Sequence, residues 1–404
     1  MSGNNKIEIL DSTLREGEQT PGVSFTKSQK ITIAKMLDSF GVDFIELGHP
    51  AVSPDIYKTI EALNQLSLNA KKMVHGRLTK SDIDDAIELG VPWIGLFFGT
   101  SRDYLYDKYQ LDENKAQKKI EETIKYGKSK GLKIRFTAED ASRTDLKFLL
   151  RIGKLVERAG ADRFSLADTV GILHPKKASE LVQYFVSQLD IPIHMHCHND
   201  FGLATANALQ AIQSGASCVD VTINGLGERC GLPPLAEVTA ALDELYKIKH
   251  SWDLKKLNQL SNYIDKITKI NNKDTRPITG KYSFSHKAGL HVKAMLKNPS
   301  SYQSISPKKL NREHEIIIDK YTGREAVRHR LDELGIEYNE SLLNSVLSQI
   351  KRSPLVTNWT NKKIIQLVKH LTLSKIEKTS TTFLSLIFLK NLTLTIAPNF
   401  QVRL

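Results

Sequence analysis

The feature that most constrains this chain is a rhythm. Short apolar, β-branched runs alternate with longer amphipathic stretches, eight times over about 250 residues. Strands are expected at 7–13 (IEILDST), 43–48 (DFIELG), 71–76 (KKMVHG), 93–99 (WIGLFFG), 133–140 (KIRFTAED), 162–169 (DRFSLADT), 192–199 (PIHMHCHN) and 218–225 (CVDVTING). Segments such as SQKITIAKMLDSFG, SDIDDAIELG and NALQAIQSGA lie between them and read as helices, several closing on Gly, a common helix stop. The alternation implies a parallel sheet. Eight units at this length point to a closed (β/α)8 TIM barrel more than to an open doubly wound sheet.

The rhythm stops near residue 250. Residues 251–272 read as helix, 278–302 as a polar mixture of loop and helix, and 322–351 as two helices split near Gly335. The expected division is a catalytic barrel over 1–270, a helical lid or dimerisation region over 271–350, and an extension over 351–404. The last part, from about 379, is rich in Thr and Leu and lacks acids, and it suggests no function.

Composition excludes more than it selects. A net charge of +12 allows nucleic-acid or membrane binding. Lysines and acids are interspersed, however, without a basic run or aromatic-basic interleaving, so a lysine-rich surface is the better reading and anionic metabolites are the fitting partners. Cys197, Cys218 and Cys230 have no CxxC spacing, which argues against a disulfide framework and fits a reducing, cytoplasmic compartment. The N-terminus lacks the pattern of a signal peptide, and no segment holds roughly 18 uninterrupted apolar residues, so no spanning helix is expected.

Chemistry-bearing residues gather at the strand ends. Arg15 and Glu16 follow strand one, and His75 ends strand three. Arg135, Thr137 and Glu139 end strand five, Asp168 and Thr169 strand six, His196 and His198 strand seven, and Asn224 strand eight. A barrel's active site forms from the C-terminal ends of its strands, so this convergence supports fold and site together. His196 and His198 stand two apart on a strand and share a face, so two imidazoles can hold one ion. Glu16 can add a carboxylate, leaving positions open for substrate. One of the two His could equally be a core residue, the loop DSTLREGEQ (11–19) could be a salt-bridged turn, and GLGER (225–229) is a weak anion-cradle signal.

DSTLREGEQ, HCHND (196–200), NGLGER and SHKAGLHVKA (285–294) together resemble the metal-dependent acyltransferases that condense acetyl-CoA with 2-oxo acids: the isopropylmalate, citramalate and homocitrate synthases. The similarity runs from about residue 6 to 350. It implies that Glu16, His196 and His198 hold a divalent metal (Mn, Mg, Zn or Co) and that Arg15 stabilises a developing alkoxide. By the same resemblance Gln19 positions substrate, Glu139 belongs to the catalytic set, and His291 and Tyr302 reach a neighbouring subunit's barrel as proton-transfer candidates. A homodimer with shared active sites follows.

Arg135, with His75 and Thr137, matches the distal-carboxylate set of the homocitrate type. An unpaired Arg in an apolar pocket would be costly, so an anionic substrate arm is expected, unless Arg135 merely pairs with Glu139. Thr169 and His194 complete the expected substrate set. CGLPPL (230–235) leans the same way, since the isopropylmalate type carries an Asn ligand where Leu232 stands. His194 and Gly95 occupy positions where lysine-pathway enzymes usually carry acids, which makes lysine feedback doubtful and leaves room for another anionic arm, such as a phosphonate. The long leucine-binding domain of many isopropylmalate synthases is not expected either. The reading is therefore condensation of acetyl-CoA with 2-oxoglutarate or a close anionic analogue. Isopropylmalate, citramalate and phosphonomethylmalate synthases are alternatives; an aldol-cleaving lyase and a non-enzymatic relic fit less well.

Overall fold

A computed structural model of the chain describes residues 6–270, 274–353 and 359–379, with side chains to 373. Eight parallel strands close on themselves in chain order: β1 (Glu8–Asp11), β2 (Phe44–Glu46), β3 (Lys71–Arg77), β4 (Trp93–Gly99), β5 (Lys133–Glu139), β6 (Arg163–Asp168), β7 (Ile193–Cys197) and β8 (Cys218–Val221). β8 returns to β1, with Glu8 opposite Cys218 and Asp11 opposite Val221. All eight expected strands are present, each within the span assigned to it or ending one residue beyond.

The crossover helices are α1 (Lys27–Phe40), α2 (Pro54–Asn64), α3 (Lys80–Glu88), α4 (Glu113–Ser129), α5 (Leu146–Arg158), α6 (Pro175–Gln188), α7 (Ala204–Gln213) and α8 (Leu235–Glu244). Local chemistry sets their ends. Thr26 accepts from the Gln29 amide while the Gln29 side chain accepts from the Thr26 amide, a capping box that starts α1. Gly41, in the left-handed region, stops it. α5 is strongly amphipathic and buries Phe148, Leu149, Ile152 and Val156. Sheet and helices thus enclose a core of fully buried residues such as Ile9, Phe44, Ile94, Phe136, Phe164 and Val219.

One compact unit runs to Ser283 and takes back Lys308–Arg312; the other comprises Phe284–Pro307 and the described residues from Glu313 on. The division thus falls beyond the expected boundary at 270. The first unit ends with α9 (Leu257–Thr268), where a helix was read over 251–272. The second holds a short parallel pair, β9 (Ser285–His286) and β10 (Glu315–Ile316), then α10 (Gly289–Lys297), α11 (Arg324–Glu333), α12 (Glu340–Arg352) and α13 (Asn361–Thr379). It has its own core, built from Val292, Leu331, Leu343, Val346, Ile350 and Ile364. The α11–α12 pair was expected. α13 was not, and its Ile364 and Val368 belong to this core. The Thr- and Leu-rich tail from 380 lies outside the described residues. Among the described residues no helix is long and apolar enough to cross a membrane.

Candidate active site

Glu16 opens a short 3-10 turn (Glu16–Gln19) just past β1, His196 sits on β7, and His198 follows that strand's last residue. Each offers a ligand atom, all within 4.8 Å of one another, and all three residues are buried. The two imidazole Nε2 atoms are 3.3 Å apart. Two nitrogens and one carboxylate oxygen converging in this way suit a divalent ion and leave part of its coordination open.

The protein holds these donors in a ligating state. Glu16 Oε1 accepts the Glu228 amide at 3.1 Å, and Oε2 pairs with Arg15 Nη1. The Gly-rich loop after β8 therefore cradles an anion, and that anion is the chain's own Glu16. At Gly231 of this loop (φ +80°) a Cβ would fall 1.8 Å from the Gly225 carbonyl oxygen, so only glycine allows the turn. Burial alone would raise the Glu16 pKa, but Arg15 and the imidazoles hold it at about 2. Burial, then His196, push His198 down to about 3, so its ring is neutral and its lone pair free.

Behind this triad lies an ionic network inside the barrel. Glu46, at the end of β2, accepts from Arg15 Nε (2.7 Å), Arg135 Nη2 (3.0 Å) and Ser12 Oγ (2.5 Å), with His75 Nδ1 3.2 Å away. Asp220 on β8 faces His194 Nε2 and His196 Nδ1, both at 2.7 Å, and Arg135 Nη1 at 3.4 Å. Despite full burial, Arg15, His75 and Arg135 hold Glu46 well below the usual carboxylate range. Asp220 is likewise held far down against burial, by His194 and Arg135 first. Burial and the neighbouring Arg15 lower His75 to about 4.

Beside this network, within the barrel unit, lies a cavity of about 550 Å³. Arg15, Glu16, Gln19, His75, Arg135, Thr137, Glu139, Thr169, His196 and His198, all put forward from the sequence, line it. The Thr137 hydroxyl is buried and makes no hydrogen bond.

Family models match nearly the whole described chain. One described as HMGL-like covers residues 6–264, and one described as homocitrate synthase post-HMGL domain-like covers 278–355. A homocitrate synthase of Sulfolobus acidocaldarius is 44% identical over 91% of this chain and 79% of its own. That of Sulfurisphaera tokodaii is also 44% identical, over 91% and 81%. The chain belongs to the homocitrate synthase family. Its barrel is shared more widely: the HMG-CoA lyase of Bacillus subtilis superposes with a TM-score of 0.60 at 20% identity, over 67% of this chain and 96% of its own. That likeness carries the fold alone. For the family member, then, the metal-dependent acyltransferase expectation stands on a matched sequence as well as on motifs.

Three expectations need correction. Arg135 is not unpaired, and its partner is not Glu139. It is 1% exposed and bonds Glu46 and Asp220 across the barrel. Glu139 is bound instead by Lys108 Nζ, at 3.1 Å to each oxygen, and by the Tyr109 hydroxyl at 3.2 Å. His194 does not line the cavity; it is sealed against Asp220. Asn224 turns away from the cavity, its amide donating to the Ser261 carbonyl and to Asp265 on α9. In the second unit His291 and Tyr302 stack with ring centroids 4.2 Å apart.

Sequence reasoning missed Glu46 and Asp220, although each is a lone acid in an apolar strand (FIELG, CVDV), which is a usable signal. It also missed His49, which lines the cavity with its Nε2 3.0 Å from the buried Asp82 carboxylate, and Phe97, stacked on His75 at 4.6 Å.

Proposed function

We propose that this chain condenses acetyl-CoA with 2-oxoglutarate, giving homocitrate and free CoA. The observation that carries the reading is the charge inside the barrel. Arg15 and Arg135 face three carboxylates, Glu16, Glu46 and Asp220. The cluster is one negative charge in excess with neutral imidazoles. A bound divalent ion reverses that excess, and an anionic substrate then has a reason to enter. The 44% identity to homocitrate synthases supports the same substrate.

The reaction needs four acts. A base takes a proton from the acetyl methyl group, the methyl carbon bonds to the keto carbon, the keto oxygen gains a proton, and water cleaves the thioester to release CoA. A divalent ion held by Glu16, His196 and His198 would act as a Lewis acid toward the keto group. Arg15, fixed by Glu46 through Nε, directs its guanidinium toward the oxygen that becomes negative. Gln19, 3.3 Å from Arg15 Nη1, keeps that group oriented. Arg135, with His75, Thr137 and Thr169, meets the far carboxylate, and the free Thr137 hydroxyl is a ready donor. For Arg135 the anion competes with the Glu46 and Asp220 bonds it already makes. Glu139 is held on the cavity wall by Lys108 and Tyr109.

His291 and Tyr302 are the proton-transfer pair, supplied by a second copy of the chain, so the working enzyme is a homodimer. Their mutual stacking supports treating them as one unit. The compartment is the cytoplasm; three free cysteines, two of them buried, fit it.

The test is thiol release from acetyl-CoA in the presence of manganese, with 2-oxoglutarate, oxaloacetate, phosphonopyruvate, pyruvate and 2-oxoisovalerate. Fastest release with 2-oxoglutarate is expected. Preference for pyruvate or 2-oxoisovalerate would overturn the charge argument and point to a citramalate or isopropylmalate synthase.

A further inference from the structure

We propose that Asp220 is a positioning residue that fixes the metal-binding form of His196, and that His194 acts on the metal site through it. The inference rests on the metal role proposed for Glu16, His196 and His198, and it adds two residues that touch neither ion nor substrate.

A neutral imidazole carries its proton on one nitrogen and its lone pair on the other. Which nitrogen is free to ligate depends on what the other one meets. His196 Nδ1 is 2.7 Å from Asp220 Oδ2. A carboxylate there accepts a hydrogen bond and cannot donate one, so the proton belongs on Nδ1. That leaves the lone pair on Nε2, the atom that faces His198. A ligating histidine backed by a carboxylate is oriented and made more basic.

Asp220 is itself aimed. His194 precedes His196 by two residues on β7 and projects to the same side. Its Nε2 is 2.7 Å from Asp220 Oδ1, while its Nδ1 is buried without any partner. The proton therefore sits on Nε2 and is donated to Oδ1. One imidazole holds each oxygen, and the carboxyl plane is set by both. Arg135 Nη1 lies 3.4 Å from each oxygen, a looser contact that neutralises charge without choosing an orientation. Asp220 is 1% exposed. His194 thus serves the metal, which accounts for its sealed position better than the substrate contact expected from the sequence.

The test is metal affinity, read without turnover. Metal-free wild type, Asp220→Asn and His194→Ala are titrated with Mn²⁺, following the loss of free-ion paramagnetic signal, with circular dichroism confirming the fold. Asp220→Asn should bind about 10–100-fold more weakly. His194→Ala should bind more weakly than wild type by a smaller factor, and Asp220→Glu should recover part of the loss. Wild-type affinity in a folded Asp220→Asn protein overturns the proposal. Should Asp220→Asn not fold, the wild type decides alone: selectively ¹⁵N-histidine-labelled, metal-free protein must show His196 protonated at Nδ1, and protonation at Nε2 overturns the idea. Neither readout involves a 2-oxo acid. A chain that prefers another substrate leaves this inference standing, whereas a wild type that binds no Mn²⁺ removes the metal reading itself.

Discussion

The barrel buries charge at both ends of its strands, and the two clusters are built differently. At the N-terminal end, Glu8 of β1 pairs with Arg163 of β6 and with Lys71 of β3 at 2.7 Å. The Arg163 guanidinium lies over the rings of Phe44, at 5.0 Å, and Trp93, at 5.7 Å. Two cations meet one carboxylate, and aromatic faces take up the surplus. At the C-terminal end the balance is reversed: three carboxylates face two guanidiniums, and the remaining groups are imidazoles and a free hydroxyl on a cavity wall. None of the first cluster's charged groups lines the cavity. The second borders it, through Arg15, Glu16, Arg135 and Asp220. This matches the general division of barrels into a structural and a reactive end.

That contrast can be broken experimentally. The largest expected effect is at the reactive end. His198→Ala should keep its fold but lose thiol release by about 10³-fold, the equivalent of several kcal/mol; a folded variant with near wild-type turnover would show that the ion is not held there. Arg15→Ala should lower kcat by roughly 10²–10³-fold, more than it raises KM. An effect confined to KM would make Arg15 a ground-state binder.

At the structural end Arg163→Met should cost about 1–2 kcal/mol in urea unfolding, because Glu8 loses one of its two cationic partners. The folded fraction should retain its kcat/KM within about two-fold. A large loss of activity at full stability would erase the distinction between the two ends.

A finer effect is the dependence of stability on pH. His75 and His198 have folded pKa values of about 4 and 3, below the unfolded value near 6.5. Each therefore contributes stability above pH 6.5 that is lost as pH falls. Asp11, pushed up to about 7 by burial, works in the opposite sense between pH 7 and 4. The metal-free protein therefore loses imidazole-derived stability as pH falls from 6 to 4, and Asp11 offsets part of that loss. Asp11→Asn should steepen that loss by about 1.4 kcal/mol per pH unit in denaturant titrations at successive pH values. An unchanged slope would place the proton elsewhere in the network.

Much of this was legible in the sequence, for a physical reason. Strand and helix periods are local, so WIGLFFG and KIRFTAED could be read as strands without knowing their neighbours. The convergence of Glu16, His196 and His198 was legible because the two imidazoles are two residues apart along one strand and a barrel brings strand one near strand seven. The partners of Arg135 were not, since Glu46 is 89 residues away and Asp220 is 85. A periodic pattern says which face a side chain occupies, but not whom it meets across the barrel. The same limit hid the role of His194 and made Glu139 look like the natural partner of Arg135. α13 was missed because its helical pattern carries only a weak apolar stripe.

Gly95 on β4 lies in register between His75 and Arg135. A Cβ there would come within 2.8 Å of Arg135 Nη2. The guanidinium crosses to Glu46 through the space that a side chain would have filled. The position of the Arg135 guanidinium therefore depends on a residue with no side chain. Exchange of Gly95 for a larger residue would require the Arg135 guanidinium to shift. A survey of the pocket by its side chains would count Arg135 as the determinant and pass over the gap that lets it reach.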